Sequence, residues 1–383
     1  MKITGLDNVN AESLPKDWSE TFEYKENLDR LRSALKDFEK YSHIIVIGNG
    51  GSITSFEAYY RALNPNKKVF ILSTMEPRFL EEVVKNYPEE KTLVIPVSKS
   101  GNTLGMVESL LNFVGNKDQD GYKILAVTNT KSGALLELAK KRNWPVIEHP
   151  EIGGRFSGGT TAALVPSYLC GFDIGKITEG IQSGYQLKNE AYALSKKLYD
   201  LEQDAVSEVF VPIYSYYLMG FQNLIVQLMH ESVCKDSQGQ TYYAALAPES
   251  QHHTNQRFFG GKRNVTAIFI IYKGSNNLEM SVPEDFKDIN IRSEELKIVD
   301  KIKYRDALFA EYIGTKTDAD NKKIPNFTIE LEEINETEIG KFLGFWHLMA
   351  FYSALLRGVV PFGQPAVEDS KEITVQTIKK LSR

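Results

Sequence analysis

Two rhythms of apolar residues run along the first half of this chain. Short runs rich in Ile, Val and Leu occur at 43–48 (HIIVIG), 68–73 (KVFILS), 92–97 (TLVIPV), 123–128 (KILAVT) and 145–148 (PVIE). Their length and β-branched content predict buried strands. Amphipathic segments such as 102–114 and 133–142 fall between them and read as helices. Strand–helix–strand alternation of this kind predicts a parallel, doubly wound sheet. In the second half, strands are expected at 208–215, 265–273 and 326–331 and helices at 217–234 and 339–357. The polar stretch 184–204 reads as a helical connection, and the charged segment 274–303 is ambiguous. The expected architecture is α/β, with two similar three-layer αβα domains, each built on a mainly parallel doubly wound sheet. Residues 1–183 form the first with an N-terminal helical extension, 184–360 the second, and 361–383 a C-terminal helix.

Composition narrows the class of partner. The chain has 383 residues, 42% of them hydrophobic and 25% charged, which suits two folded domains of ordinary size. A net charge of −5 argues against a nucleic-acid or anionic-membrane partner. No apolar run approaches the roughly 18–20 residues of a membrane span. The start, Met1-Lys2-Ile3-Thr4-Gly5-Leu6-Asp7, lacks the apolar core of a signal peptide. Cys170 and Cys234 are the only cysteines, so no disulfide framework is indicated and a cytoplasmic location is expected.

The candidate chemistry begins at Ser98-Lys99-Ser100-Gly101-Asn102-Thr103, directly after the run 92–97. Three hydroxyls, an ammonium and a glycine at a strand-to-helix turn suit a phosphate dianion, which needs many donors. Gly48-Asn49-Gly50-Gly51-Ser52 stands in the same position after the first strand. Its Gly50 and Gly51 allow close backbone approach, and Ser52 can cap the next helix or donate to a ligand. Alone, either turn is also compatible with a plain connection. Both fall on the carboxyl edge of one predicted sheet, where α/β proteins bind ligands. The pattern is not G-x-G-x-x-G and no acidic residue is placed to hold a ribose, which argues against a dinucleotide.

G-x-G-G-S followed by S-K-S-G-N-T resembles the sugar isomerase (SIS) domain, which also occurs in regulators and in glucosamine-6-phosphate synthases. Later motifs narrow the resemblance. Gly153-Gly154-Arg155-Phe156-Ser157 is similar to the G-G-R-F-S signature of the phosphoglucose isomerase family. The resemblance implies that Arg155 faces an enediolate and that Gly154 lets the backbone approach closely. Gly158-Gly159-Thr160 depart from the family pattern, which implies an altered binding surface. Glu231-Ser232-Val233-Cys234-Lys235 is similar to the family's E-S-x-G-K, with Cys234 in place of glycine. Glu231 would then move a proton between C1 and C2, a task for a partly desolvated carboxylate. His230 and Cys234 lie four apart, but two ligands are too few for a metal site and no metal is expected.

Gln251-His252-His253 resembles the family's Q-H pair, which implies that His252 assists ring opening. In the family this histidine reaches the neighbouring subunit's site, so a homodimer is implied. Val360 to Lys371 resembles the closing signature, with Gln364 binding phosphate and Lys371 assisting ring opening. About two helical turns separate the two, so both are expected to face one site. Two further departures are Met106, where the family commonly has a threonine, implying one lost phosphate contact, and Asn49, where it has isoleucine.

Together these motifs imply two SIS-type domains and a metal-free, cofactor-free glucose-6-phosphate isomerase. The implied catalytic residues are Glu231, His252, Lys371 and Arg155. The implied phosphate-binding residues are Ser52, Ser98, Lys99, Ser100, Thr103 and Gln364. A non-catalytic sugar-phosphate sensor, a bifunctional phosphoglucose/phosphomannose isomerase, and the isomerase half of a glucosamine-6-phosphate synthase remain alternatives.

Overall fold

The computed structural model describes residues 1–115 and 121–382. In chain order the strands are β1 (Lys2–Thr4), β2 (His43–Ile47), β3 (Lys68–Leu72), β4 (Thr92–Ser98), β5 (Lys123–Ile124), β6 (Ala126–Thr128) and β7 (Val146–Glu148). There follow β8 (Glu208–Tyr214), β9 (Thr241–Leu246), β10 (Val265–Tyr272), the short pair β11 (Asn290–Ile291) and β12 (Glu294–Glu295), and β13 (Asn326–Leu331).

One sheet runs β3-β2-β4-β6-β7, with β5 also paired to β4, and every pairing in it is parallel. Its strands are nearly all apolar because helices cover both faces, as a buried parallel sheet requires. The chain leaves β2 to one side for β3 and returns to the other for β4. The carboxyl ends of β2 and β4 therefore flank a topological switch point, where a crevice opens. The second sheet runs β9-β8-β10-β13-β1. Its first four strands are parallel and repeat the same winding, so its own switch point lies between β8 and β10.

Four features go beyond the pattern-based reading. The second sheet is mixed: β1, from the very start of the chain, pairs antiparallel to β13 with Ile3 opposite Ile329. Strand β9 was hidden by its composition, since Thr241-Tyr-Tyr-Ala-Ala-Leu246 at a half-buried edge lacks the usual run of β-branched residues. The helix Thr161–Leu169 carries Pro166 inside it. Finally, the helix Glu336–Leu356 is long and apolar enough to cross a membrane, yet 83% of its apolar window is buried within this protein.

That helix is the centre of the core. Nearly every residue from Ile339 to Ala354 is buried, which only a helix surrounded on every side can achieve. Small residues let it pack closely on the helix Ile174–Gly184. A methyl on Gly340 would lie 2.2 Å from the Ile177 carbonyl, and one on Gly180 would lie 2.1 Å from the Thr337 carbonyl. Gly184 and Gly344 repeat the contact one turn further on. One hydrophobic cluster runs without a break from Ile44 and Phe56 beside the first sheet to Ile213 and Ile329 of the second.

Candidate active site

The turns after β2 and β4 meet at the first switch point. Gly50–Ser52 forms a single 3-10 turn that leads into the helix Thr54–Leu63, and Thr103 stands at the start of the helix Leu104–Leu111. Within the second turn, Ser98 Oγ accepts the Gly101 N–H (3.1 Å) and shares a hydrogen bond with Thr103 Oγ1 (2.9 Å). Ser98 is only 1% exposed, so it braces the cradle from beneath and does not line it. Ser52, Lys99, Ser100 and Thr103 retain exposed surface. Lys99 makes an ion pair with Glu151 at 3.4 Å. Asn49 donates to the Ser73 carbonyl (3.2 Å), tying this cradle to the exit of β3. Met106 lies elsewhere: it is fully buried in the cluster with Ile45, Leu72 and Val94. A side chain at that position faces the core rather than the surface of the turn.

Gly51 carries the cradle against the arginine turn. A Cβ on Gly51 would sit 2.3 Å from the Arg155 nitrogen and 2.4 Å from the Gly154 carbonyl carbon. Only glycine allows these two backbones to touch. Gly158, read as a departure in the binding surface, is buried under the site: its carbonyl accepts from the Tyr59 hydroxyl at 3.0 Å. A Cβ there would strike Leu343 at 2.2 Å, so the glycine answers to packing.

Arg155 is the hub. Its side chain is 4% exposed, and every donor of the guanidinium fork is taken. Nε donates to Ser232 Oγ (2.9 Å). One terminal nitrogen donates to Glu231 Oε2 (2.8 Å) and Gln364 Oε1 (3.2 Å). The other donates to the carbonyls of Pro361 (2.5 Å), Gly363 (2.9 Å) and Glu231 (3.3 Å). Burial lowers its pKa from the usual arginine range, and the Glu231 charge opposes that shift. Glu231 stands at the end of the helix Phe221–Val233 with its side chain 31% exposed. Its other oxygen accepts from Gln227 Nε2 (3.0 Å), one turn earlier, and Gln227 in turn accepts from Thr54 Oγ1 (2.9 Å). The carboxylate is thus held on both oxygens while one edge stays open. Cys234 ends this helix at φ −76, a backbone that needs no glycine.

Two residues in this group carried no role in the sequence reading. Gln227 could have been found from its position one turn before Glu231 on the same helix. Lys235 ends the run that resembles E-S-x-G-K, which marks the residue but not its role, because its partners are backbone carbonyls. Its Nζ donates to Val360 (2.5 Å) and Phe362 (2.7 Å), so Lys235 and Arg155 take alternate carbonyls along residues 360–363. Burial and the nearby Arg155 lower the Lys235 pKa, opposed by Glu231. Phe362 then packs edge-on to Phe156 and Phe351, which locks the segment from behind.

The remaining predicted residues lie apart. Gln364 precedes the helix Glu368–Leu381 and is not on it, so the two-turn argument linking it to Lys371 fails. Lys371 is exposed and pairs with Glu368 at 2.7 Å. Its helix has no buried residue and leaves Ile373 65% exposed. His252 is exposed at the end of a short turn after β9 and makes no hydrogen bond to Arg155, Glu231 or Gln364 among the described residues. His230, four residues before Cys234, accepts the Tyr242 N–H through Nε2 at 2.8 Å.

Two sheets of this winding, with a hydroxyl-rich turn and a buried arginine paired to a half-buried glutamate at one switch point, define the SIS-type phosphosugar isomerase fold. A hypothetical protein from Thermus thermophilus superposes with a TM-score of 0.84 at 23% identity, covering 95% of this chain and 90% of that one. A glucose-6-phosphate isomerase from Chlamydia trachomatis gives 0.74 at 20% identity, covering 99% and 81%. No family model matches the chain. A glucose-6-phosphate isomerase of Methanocaldococcus jannaschii is 30% identical over 372 residues, covering 93% of this chain and 88% of that protein. The chain belongs to the glucose-6-phosphate isomerase family.

Proposed function

We propose that this protein interconverts glucose 6-phosphate and fructose 6-phosphate through an enediolate. The observation that carries the reading is Glu231, held on both oxygens by Arg155 and Gln227 and joined through the Gly51–Arg155 backbone contact to the phosphate cradle. Lys99, Ser100, Thr103 and Ser52 would take the phosphate of the open-chain sugar, with Gln364 at its edge and Ser98 shaping the turn. The far end of the substrate then reaches Glu231, which removes the C2 proton and returns it at C1. Arg155 keeps a fixed positive charge beside both the carboxylate and the developing oxyanion. With no donor free, it acts through that charge and through the terminal nitrogen that Glu231 and Gln364 share.

Ring opening needs a proton shuttle, and among the described residues no histidine of the same chain hydrogen-bonds to the Glu231 carboxylate. We assign that step to His252 of a second copy, which makes the enzyme a homodimer. The exposed position of His252 and the uncovered apolar residues of the C-terminal helix support this reading. Lys371, on that same helix, would assist only once the helix is docked. A cytoplasmic location and a division of the chain near residues 183 and 360, with β1 in the second unit, complete the proposal. Replacing Glu231 with Gln tests it: turnover of fructose 6-phosphate falls by about 10²–10⁴, the usual worth of a positioned base, while inorganic phosphate binds as in the parent. Retained turnover in that variant removes Glu231 from the mechanism.

A further inference from the structure

The winding of the first sheet is repeated in the second, and so is the geometry of its crevice. In the first, β4 ends at Ser98 and is followed by Lys99 and by Gly101 at φ +69. In the second, β10 ends at Tyr272 and is followed by Lys273 and by Gly274 at φ +60. Between the carboxyl ends of β8 and β10 lies a cavity of about 330 Å³. Its walls include Tyr214 from the end of β8, Lys273 and Gly274 after β10, and Arg305, Phe309 and Tyr312 from the helix Tyr304–Asn321. None of these belongs to the Arg155–Glu231 site.

We propose that this second crevice is a separate ligand site, for an organic phosphomonoester that carries an aromatic ring. Two cations, the Asp306 carboxylate and several aromatic side chains line it together. Lys273 pairs with Glu330 at 3.2 Å with its own side chain 67% exposed, and Arg305 pairs with Asp306 at 3.4 Å. Each pair keeps one well-exposed partner, Lys273 in the first and Asp306 in the second, and single pairs near the surface are weak, so a phosphate dianion can exchange with them. Lys99 of the first cradle stands in the same state, paired to Glu151 at 3.4 Å. The aromatic wall is held in place. Tyr214 and Tyr312 meet edge to face at 5.7 Å, Phe309 lies 5.5 Å from Tyr312, and the Tyr214 hydroxyl accepts from Gln251 at 3.0 Å. Phe309, 42% exposed, offers the face on which a flat ring stacks, with the buried Tyr214 and Tyr312 behind it, and the volume is at the small end of ligand pockets.

The proposal does not depend on the isomerase reading and is tested separately from it. Phenyl phosphate is titrated calorimetrically into the intact protein, into a Ser100→Ala/Thr103→Val variant with a damaged first cradle, and into a Lys273→Ala/Arg305→Ala variant. The first-cradle variant should retain one binding event per chain. The Lys273/Arg305 variant should lose that event or weaken it at least tenfold, while isomerising fructose 6-phosphate at the parent rate. If the double variant does not fold, Arg305→Gln alone is measured and should weaken the same event. Unchanged phenyl phosphate binding in the Lys273/Arg305 variant overturns the proposal, as does loss of all binding in the first-cradle variant. Inorganic phosphate binding there as tightly as phenyl phosphate overturns the aromatic specificity.

Discussion

Arg155→Lys keeps the charge at the centre of the site and removes the geometry. The arginine fork reaches Ser232, Glu231, Gln364 and the Pro361 and Gly363 carbonyls at 2.5–3.2 Å. An ammonium offers three donors from one point, so at least two of those five acceptors lose their partner. Each abandoned buried group costs about 1–3 kcal/mol. Pro361 is buried but Gly363 is exposed, which places the loss toward the low end, at about 2–3 kcal/mol. The catalytic loss comes through the base: an ammonium no longer holds Glu231 and Gln364 on one nitrogen, and a displaced general base gives up much of the about 10²–10⁴ that it contributes. Two measurements check this: urea unfolding for stability, and a coupled assay converting fructose 6-phosphate to glucose 6-phosphate for turnover. A variant with kcat within about threefold of the parent and an unchanged urea midpoint would refute the reasoning, since it would show that charge alone suffices.

Gly51→Ala forces a methyl into backbone atoms at 2.3–2.4 Å; overpacking of this kind costs about 1–3 kcal/mol, and fructose 6-phosphate KM should rise as the cradle is pushed from Arg155. Lys235→Met keeps the apolar stem but drops both carbonyl contacts; kcat/KM should fall about tenfold, the equivalent of one charged hydrogen bond, and trypsin should cut the C-terminal segment faster than in the parent. His347 gives a pH signature. Burial pushes its ring down to about 3, against the Arg155 backbone that favours the proton, whereas the unfolded chain titrates near about 6.5. Its folded pKa is depressed, so the ring stays neutral in the fold while the unfolded chain takes up a proton below about 6.5. Its contribution is complete above that pH and is lost toward 3, at up to roughly 1.4 kcal/mol per pH unit. Urea midpoints from about pH 7 to 5 should fall less steeply in His347→Gln, and an unchanged slope would rule His347 out as the source.

Local chemistry in this sequence was legible wherever a residue's role depends on its chain neighbours. The strands of the first sheet are such a case, because burial on both faces writes a continuous apolar run into consecutive positions. The hydroxyl-rich turn at 98–103 is another, since donor type and turn geometry are both local. Roles set by what a residue meets across the fold were misread. Met106 and Gly158 looked like changes to a ligand surface, but each faces the core, and only the direction of the helix or turn that carries it reveals that. Ser98 and Thr103 look equivalent in sequence, yet the first is buried within the turn and the second keeps exposed surface. Lys371 was placed beside Gln364 by counting helical turns across a segment whose helix begins only at Glu368. The clearest case is Lys235, which binds carbonyl oxygens. Every residue has one, so no pattern of side chains announces such a contact. A cation just after Glu231 can find its partners at 360 and 362 only because the helix Glu336–Leu356 runs through the core and delivers the next turn of chain to the mouth of the first crevice.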